Sequence, residues 1–140
     1  MEDITLSLIL TETDRETEQE ERIVDRELLI IGGGPAGLTA AIYFGRAQLK
    51  PLVLLGQAFG GQAATSNEME NYPGFADGIN GMALAESIAK QATKFGAELV
   101  YEIVTEIDET VYPYIVKTYG ATYRTKAIIL CTDAAPRKLG

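Results

Sequence analysis

The chain has no histidine, and its 140 residues include one cysteine, Cys131. The first absence removes the commonest general base and the commonest metal ligand. The second excludes an intramolecular disulfide and fits a reducing compartment. Basic residues are also scarce: Lys and Arg total 12 against 20 Asp and Glu, a formal net charge of -8. Nucleic-acid binding needs clustered cations on the phosphates, so that class is set aside. No apolar run approaches the roughly 18 residues of a membrane helix. The acidic N-terminus lacks the basic start of a secretory signal. These absences lead to the expectation of a cytoplasmic protein with no membrane contact, no nucleic-acid partner and no metal.

The acidity is uneven. Met1–Arg22 holds eight acids and two bases, net -6, and the remainder holds twelve and ten, net -2. Residues 1–22 are therefore expected as an acidic, disordered extension and residues 23–140 as the folded domain. Within the extension, Ile4–Leu10 (ITLSLIL) alternates at its start and reads as a short added strand. Thr11–Arg22 (TETDRETEQEER) is polar, acidic and free of aromatics, and it buries too little surface to offset its ordering. It reads as a solvated tail, with partner docking as the sharper alternative. The length and the 46% hydrophobic content suffice for one domain with its own core.

What is present centres on Leu28–Phe44, LLIIGGGPAGLTAAIYF. A buried strand, a glycine turn and an apolar helix follow one another. Gly32, Gly34 and Gly37 stand at the G-x-G-x-x-G spacing of a dinucleotide-binding βαβ unit. Gly32 permits a tight exit from the strand, Gly34 allows a pyrophosphate to approach the backbone, and Gly37 lets the helix lie close to the sheet. Pro35 suits the first helical turn. The free N–H groups there, and their partial positive charge, suit phosphate. The plain alternative is a tight turn with no ligand.

Ile23–Ile31 is predicted as the first strand, Pro35–Leu49 as a helix and Pro51–Leu55 as the second strand, joined right-handedly. A nicotinamide-type unit carries an acid near the end of that second strand for the ribose. Here the end reads Leu55-Gly56-Gln57, and no acid occurs between Arg46 and Glu68. Gly56–Asp77 shows no convincing period and is predicted as a long functional loop. Its Gly60, Gly61, Gln62, Thr65, Asn67 and Asn71 suit a polar ligand. Gly81–Phe95 has helical spacing and Gly96 a stop. Ala97–Val104 reads as a third parallel strand, Tyr112–Thr118 and Ala121–Thr125 as a hairpin, and Ala127–Cys131 as a final strand. Cys131 is read as a buried small hydrophobe rather than a nucleophile. The expected fold is α/β: a Rossmann-like parallel sheet around the βαβ unit, one helix on each face, and a small antiparallel meander packed on it.

The stretches IIGGGPAGLTAAIYFGRA, GGQAATSNEMENYPGF, ADGINGMALAESIAKQATKFGAEL and YRTKAIILCTDAAPRKLG together resemble low-molecular-weight thioredoxin reductases. The resemblance is to the first part of that family's FAD domain and covers Glu27–Gly140. It implies FAD, with Gly32, Gly34, Pro35, Ala36 and Gly37 on the pyrophosphate. Gly56, Gly60, Gly61 and Gln62 would lie along the ribityl and pyrophosphate path, Asn71 near the isoalloxazine, and Thr132 at the end of the closing strand. A backbone contact to adenine is implied near Glu102–Val104, with side-chain identity unimportant. Two departures stand out. The family's closing Ala-Thr-Gly-Ala reads Cys131-Thr132-Asp133-Ala134 here, which puts a carboxylate where the backbone packs close to the flavin. The chain also has no second G-x-G-x-x-G for NADPH and no C-x-x-C dithiol. Family electron flow runs from NADPH to FAD to a disulfide, so this chain would supply the FAD station only. The sequence therefore predicts a truncated FAD-binding module with no catalytic residue of its own, completed by a homodimer or a complementing chain. The alternatives are a degenerate α/β domain acting through association, and a nicotinamide-binding module, disfavoured by the missing acid.

Overall fold

A computed structural model describes residues 22–132. The extension, including the predicted strand Ile4–Leu10, lies outside the described residues apart from Arg22, as do Asp133 and everything after it. Strand β1 (Ile23–Ile31) leads into helix α1 (Pro35–Arg46) and strand β2 (Leu52–Leu54). A short 3-10 turn (Gly61–Thr65), helix α2 (Gly81–Lys94) and strand β3 (Glu98–Val100) follow. The chain then forms β4 (Val104–Asp108), β5 (Tyr114–Thr118) and β6 (Thr122–Leu130). All six strands join one mixed sheet in the order β3-β2-β1-β6-β5-β4.

β1 shows why its sequence runs as it does. Its first five residues are exposed or half-buried and pair only with β6. From Leu28 onward every residue is buried, because β2 now flanks it in parallel at Leu29↔Leu52 through Ile31↔Leu54. A strand covered on both faces reads as a continuous apolar run. Across the lower half, Asp25 faces Arg124 in register, and their side chains make a two-pronged ion pair at 2.7 and 2.9 Å.

Both helices lie on one face of the sheet, which corrects the expectation of one on each. Leu38, Ala41 and Ile42 of α1 share a core with Leu84, Ile88, Ala89 and Ala92 of α2 and with Leu28, Ile30 and Val53 of the sheet. The reason is handedness. The crossovers β1-α1-β2 and β2-α2-β3 step the same way along the sheet, and right-handed connections that step the same way place their helices on the same side. The second face is covered by the antiparallel strands. Val116 of β5 and Tyr123 of β6 pack with Leu29, Ile31, Leu52 and Leu54. A flat sheet would set β3 and β4 about 24 Å apart, yet only three residues join Val100 to Val104, a span of at most about 14 Å. The sheet must therefore curl over itself.

Boundaries differ in instructive places. α1 stops at Arg46 rather than Leu49, where Gln48 and Lys50 take positive φ and Pro51 bars any helical continuation. The predicted third strand splits, with residues 98–100 joining β2 and Val104 opening β4. The predicted second hairpin arm and final strand are one nine-residue strand, β6, paired antiparallel to β5 and parallel to β1. The long loop holds the 3-10 turn and a Met69↔Ile79 bridge. No helix among the described residues is long and apolar enough to cross a membrane.

Candidate functional site

The glycine turn sits at the carboxyl end of β1, where the sheet order diverges towards β2 on one side and β6 on the other. In open α/β sheets this switch point is where crevices form. Gly32 has φ +126, and a Cβ there would overlap the carbonyl of Cys131. A Cβ at Gly37 would overlap the carbonyl of Gly32. The first position therefore closes the strand against β6, and the second holds α1 against the turn.

The two helices begin differently. At α2 the Asn80 carboxamide oxygen accepts from the N–H groups of Met82 and Ala83 at 3.0 and 3.2 Å, so that helix caps itself. At α1 the cap is the buried Gly34, with no side-chain acceptor and no acid in the first turn. Its first intrahelical bond runs from the N–H of Leu38 to the carbonyl of Gly34. The N–H groups of Ala36 and Gly37 thus have no intrahelical acceptor.

A cleft of about 450 Å³ opens beside this turn, lined by Gly32, Gly33, Leu55, Gly56, Gln57, Glu102, Ile103 and Thr132 among others. Its volume is that of a small-ligand site. Backbone bonds set its walls. Gly56 donates to the Glu102 carbonyl at 3.2 Å, and Gly60 donates to the Gly33 carbonyl at 2.9 Å, which docks the following loop on the turn. The Glu102 carboxylate accepts the Tyr123 hydroxyl at 2.9 Å and the Thr118 hydroxyl at 2.6 Å. It ties the β3–β4 crossing to β5 and β6. Its side chain therefore has a structural role that the resemblance does not suggest. Burial, and then the bond to Glu102, pushes the Tyr123 phenol up to about 12. Burial also raises the Cys131 thiol, which argues against a nucleophile.

Of the predicted residues, Gly32, Gly56 and Thr132 line the cleft, and Gly34, Pro35, Ala36 and Gly37 form the turn and first helical residues beside it. Gly60 caps the 3-10 turn, and Gly61 and Gln62 lie within it. Asn71 lines a separate hollow with Tyr72 and Phe75 and does not reach the cleft wall. Sequence reasoning missed Ile107 and Leu130 on the cleft. Ile107 arrives only through the curl of the sheet, and no local pattern marks it. Among the described residues no group of acids, histidines or cysteines could hold a metal ion. The open first turn, the Gly32 closure and the adjoining cleft fit the diphosphate and nucleoside of a dinucleotide.

Comparison with known proteins places this geometry in context. The sequence pattern of the pyridine nucleotide-disulphide oxidoreductases matches residues 26–140. Thioredoxin reductase of Mycolicibacterium smegmatis is 46% identical over 114 residues, covering 81% of this chain and 37% of the relative. Glucosaminate ammonia-lyase of Pseudomonas fluorescens is 41% identical over 113 residues, covering 81% of this chain and 35% of that protein. Among solved structures, thioredoxin reductase from Giardia duodenalis superposes with a TM-score of 0.77 at 42% identity, covering 84% of this chain and 38% of that one. The chain thus spans well under half the length of these relatives.

Proposed function

Because the chain belongs to the pyridine nucleotide-disulphide oxidoreductase family, we propose that it is the FAD-binding segment of a thioredoxin-reductase-like flavoprotein. The single observation that carries the reading is the uncapped start of α1, which follows directly on the Gly32–Gly33 wall of the cleft at the switch point. Helix N-termini left open in this way bind phosphate groups. The match to two differently named enzymes supports the same view, since a stretch common to both suits a shared cofactor better than either reaction.

In this reading the N–H groups of Ala36 and Gly37 hold the pyrophosphate, and Gly32 and Gly34 let it approach. Gly56, Gly60, Gly61 and Gln62 flank the path from ribose to ribityl chain, Thr132 closes the β6 side, and Asn71 lies towards the ring. The flavin supplies the hydride and electron chemistry when bound, and the protein contributes binding and orientation. No residue here is assigned to disulfide reduction: the sequence has one cysteine and no C-x-x-C. NADPH-dependent disulfide reduction is proposed for the assembly to which the segment belongs, not for the segment alone.

Titration of the purified chain with FAD, FMN, NADH and NADPH tests this by calorimetry and flavin absorbance. FAD is expected to bind, and FMN, which lacks the adenosine monophosphate half and so has no pyrophosphate, at least tenfold more weakly. NADPH is expected to reduce no disulfide substrate in the presence of the chain alone. Absence of FAD binding at high micromolar concentrations overturns the proposal and leaves the reading of a domain that acts by association.

A further inference from the structure

Asn80, which caps α2, stands directly before a glycine, whereas Asn67 and Asn71 precede Glu68 and Tyr72. In an Asn-Gly pair the glycine nitrogen attacks the preceding carboxamide most readily, because no side chain crowds its approach. The two halves of the pair are placed differently. Asn80 is exposed, so water and base reach its carboxamide, but Gly81 is buried. The Gly81 N–H donates to the Ser66 carbonyl at 3.0 Å, and a Cβ on Gly81 would overlap the Ala63 carbonyl. The attacking nitrogen is therefore pressed against the loop that follows the 3-10 turn. The carboxamide is held from both ends: its oxygen accepts from Met82 and Ala83, and its nitrogen donates to the Asn67 carbonyl at 3.1 Å. The same loop is fastened by Met69 and Ile79, which exchange backbone bonds of 2.7 and 3.0 Å. Ring closure also requires the Gly81 nitrogen to eclipse the Asn80 Cβ across the Cα–C bond. At the observed ψ of 134 the two are far from eclipsed.

We propose that Asn80–Gly81 is a deamidation site latched shut by the loop of residues 61–69, so that its modification counts local openings of that loop. The step balances without any oxidant. When the loop lifts, the Gly81 N–H loses its proton to hydroxide and the nitrogen attacks Asn80 Cγ. The bond from Cγ to the amide nitrogen breaks, that nitrogen leaves as ammonia with the proton returned from water, and a five-membered succinimide remains. One water then opens the ring at either carbonyl. Opening at one gives aspartate, which keeps an acceptor for the Met82 and Ala83 N–H groups. Opening at the other gives a β-aspartyl linkage, which adds a methylene to the main chain and draws the capping oxygen out of place, so α2 loses its cap. The exposed side chain alone does not set the rate, because the nitrogen that must attack is the buried partner. Local opening of a loop costs less than unfolding the sheet, so the route runs through the loop and not through the whole fold.

Peptide mass spectrometry on the 140-residue chain, aged at mildly alkaline pH with and without urea, tests the proposal. In the unfolded chain Asn80 is expected to convert at least tenfold faster than Asn67 or Asn71. In the folded chain its conversion should slow at least tenfold. That slowing should match the hydrogen-exchange protection of the Gly81 amide to within about threefold, and fall short of the protection of Leu29 in the centre of β1. A second arm uses Gly60→Ala, whose new methyl would crowd Ala64 and Ala85 at 2.7 and 2.8 Å and push the loop off α2. With its fold checked by circular dichroism, this variant should convert at least threefold faster than the unaltered chain in buffer and at the same rate in urea. If the variant does not fold, the exchange comparison decides alone. Equal conversion in folded and unfolded chains overturns the proposal, as does a folded variant that converts no faster. A slowing that matches Leu29 instead of Gly81 overturns it in favour of modification through global unfolding.

Discussion

Gly32 and Gly56 both take positive φ, but they should respond differently to alanine. At Gly32 the new methyl overlaps the Cys131 carbonyl, whereas at Gly56 it meets open space. Gly32→Ala is expected to lower stability by about 3 kcal/mol and Gly56→Ala by about 1 kcal/mol, the cost of the left-handed backbone alone. Urea unfolding of the two variants measures the difference. Tyr123 supports a prediction about pH. Its phenol is raised to about 12 against an ordinary 10. Below pH 10 it is protonated in both folded and unfolded chains, and its contribution is fully present. Between pH 10 and about 12 the unfolded chain loses the proton first, so stability falls as pH rises. Tyr123→Phe should remove that part of the slope, as read by unfolding midpoints from pH 8 to 12. The glycine turn was legible because each of its glycines answers a local need. The Glu102 carboxylate was not, because Tyr123 and Thr118, the groups it binds, lie sixteen and more residues away.

At the scale of elements, the contrast between the helix starts is the informative feature. Asn80→Ala removes two capping bonds at α2 and should cost about 1 kcal/mol. FAD affinity should be unchanged, since the proposed phosphate site is at the other helix; thermal unfolding with and without FAD separates the two effects. Glu102→Ala strips the charged acceptor from two hydroxyls and should cost about 2 kcal/mol. It should also weaken FAD binding, because it frees the crossing that forms one wall of the cleft, whereas Glu102→Gln, which keeps an acceptor oxygen, should lose less. Strand β1 was read to the residue, because its burial changes within the strand and the sequence shows it. β6 was read as two pieces. Its lower half alternates as a partner of β5 and its upper half is apolar beside β1, and nothing local says that the two are continuous.

For the whole molecule, the preference for FAD over FMN tests whether the open turn of α1 receives a diphosphate, and titration of each flavin decides it. By itself the sequence determined the order of elements as far as β3, the βαβ unit with its glycine turn, and the family, because strand period, turn chemistry and motif spacing are local and cumulative. Only the tertiary structure decided that both helices share one face, since that follows from the direction in which successive crossovers step. It alone also curled β4 and β5 over the second face, where a three-residue crossing forces the sheet's edges together. That closure brings Ile107 and Glu102 to the cleft beside Gly32, a meeting set by long-range packing that no stretch of the chain encodes locally.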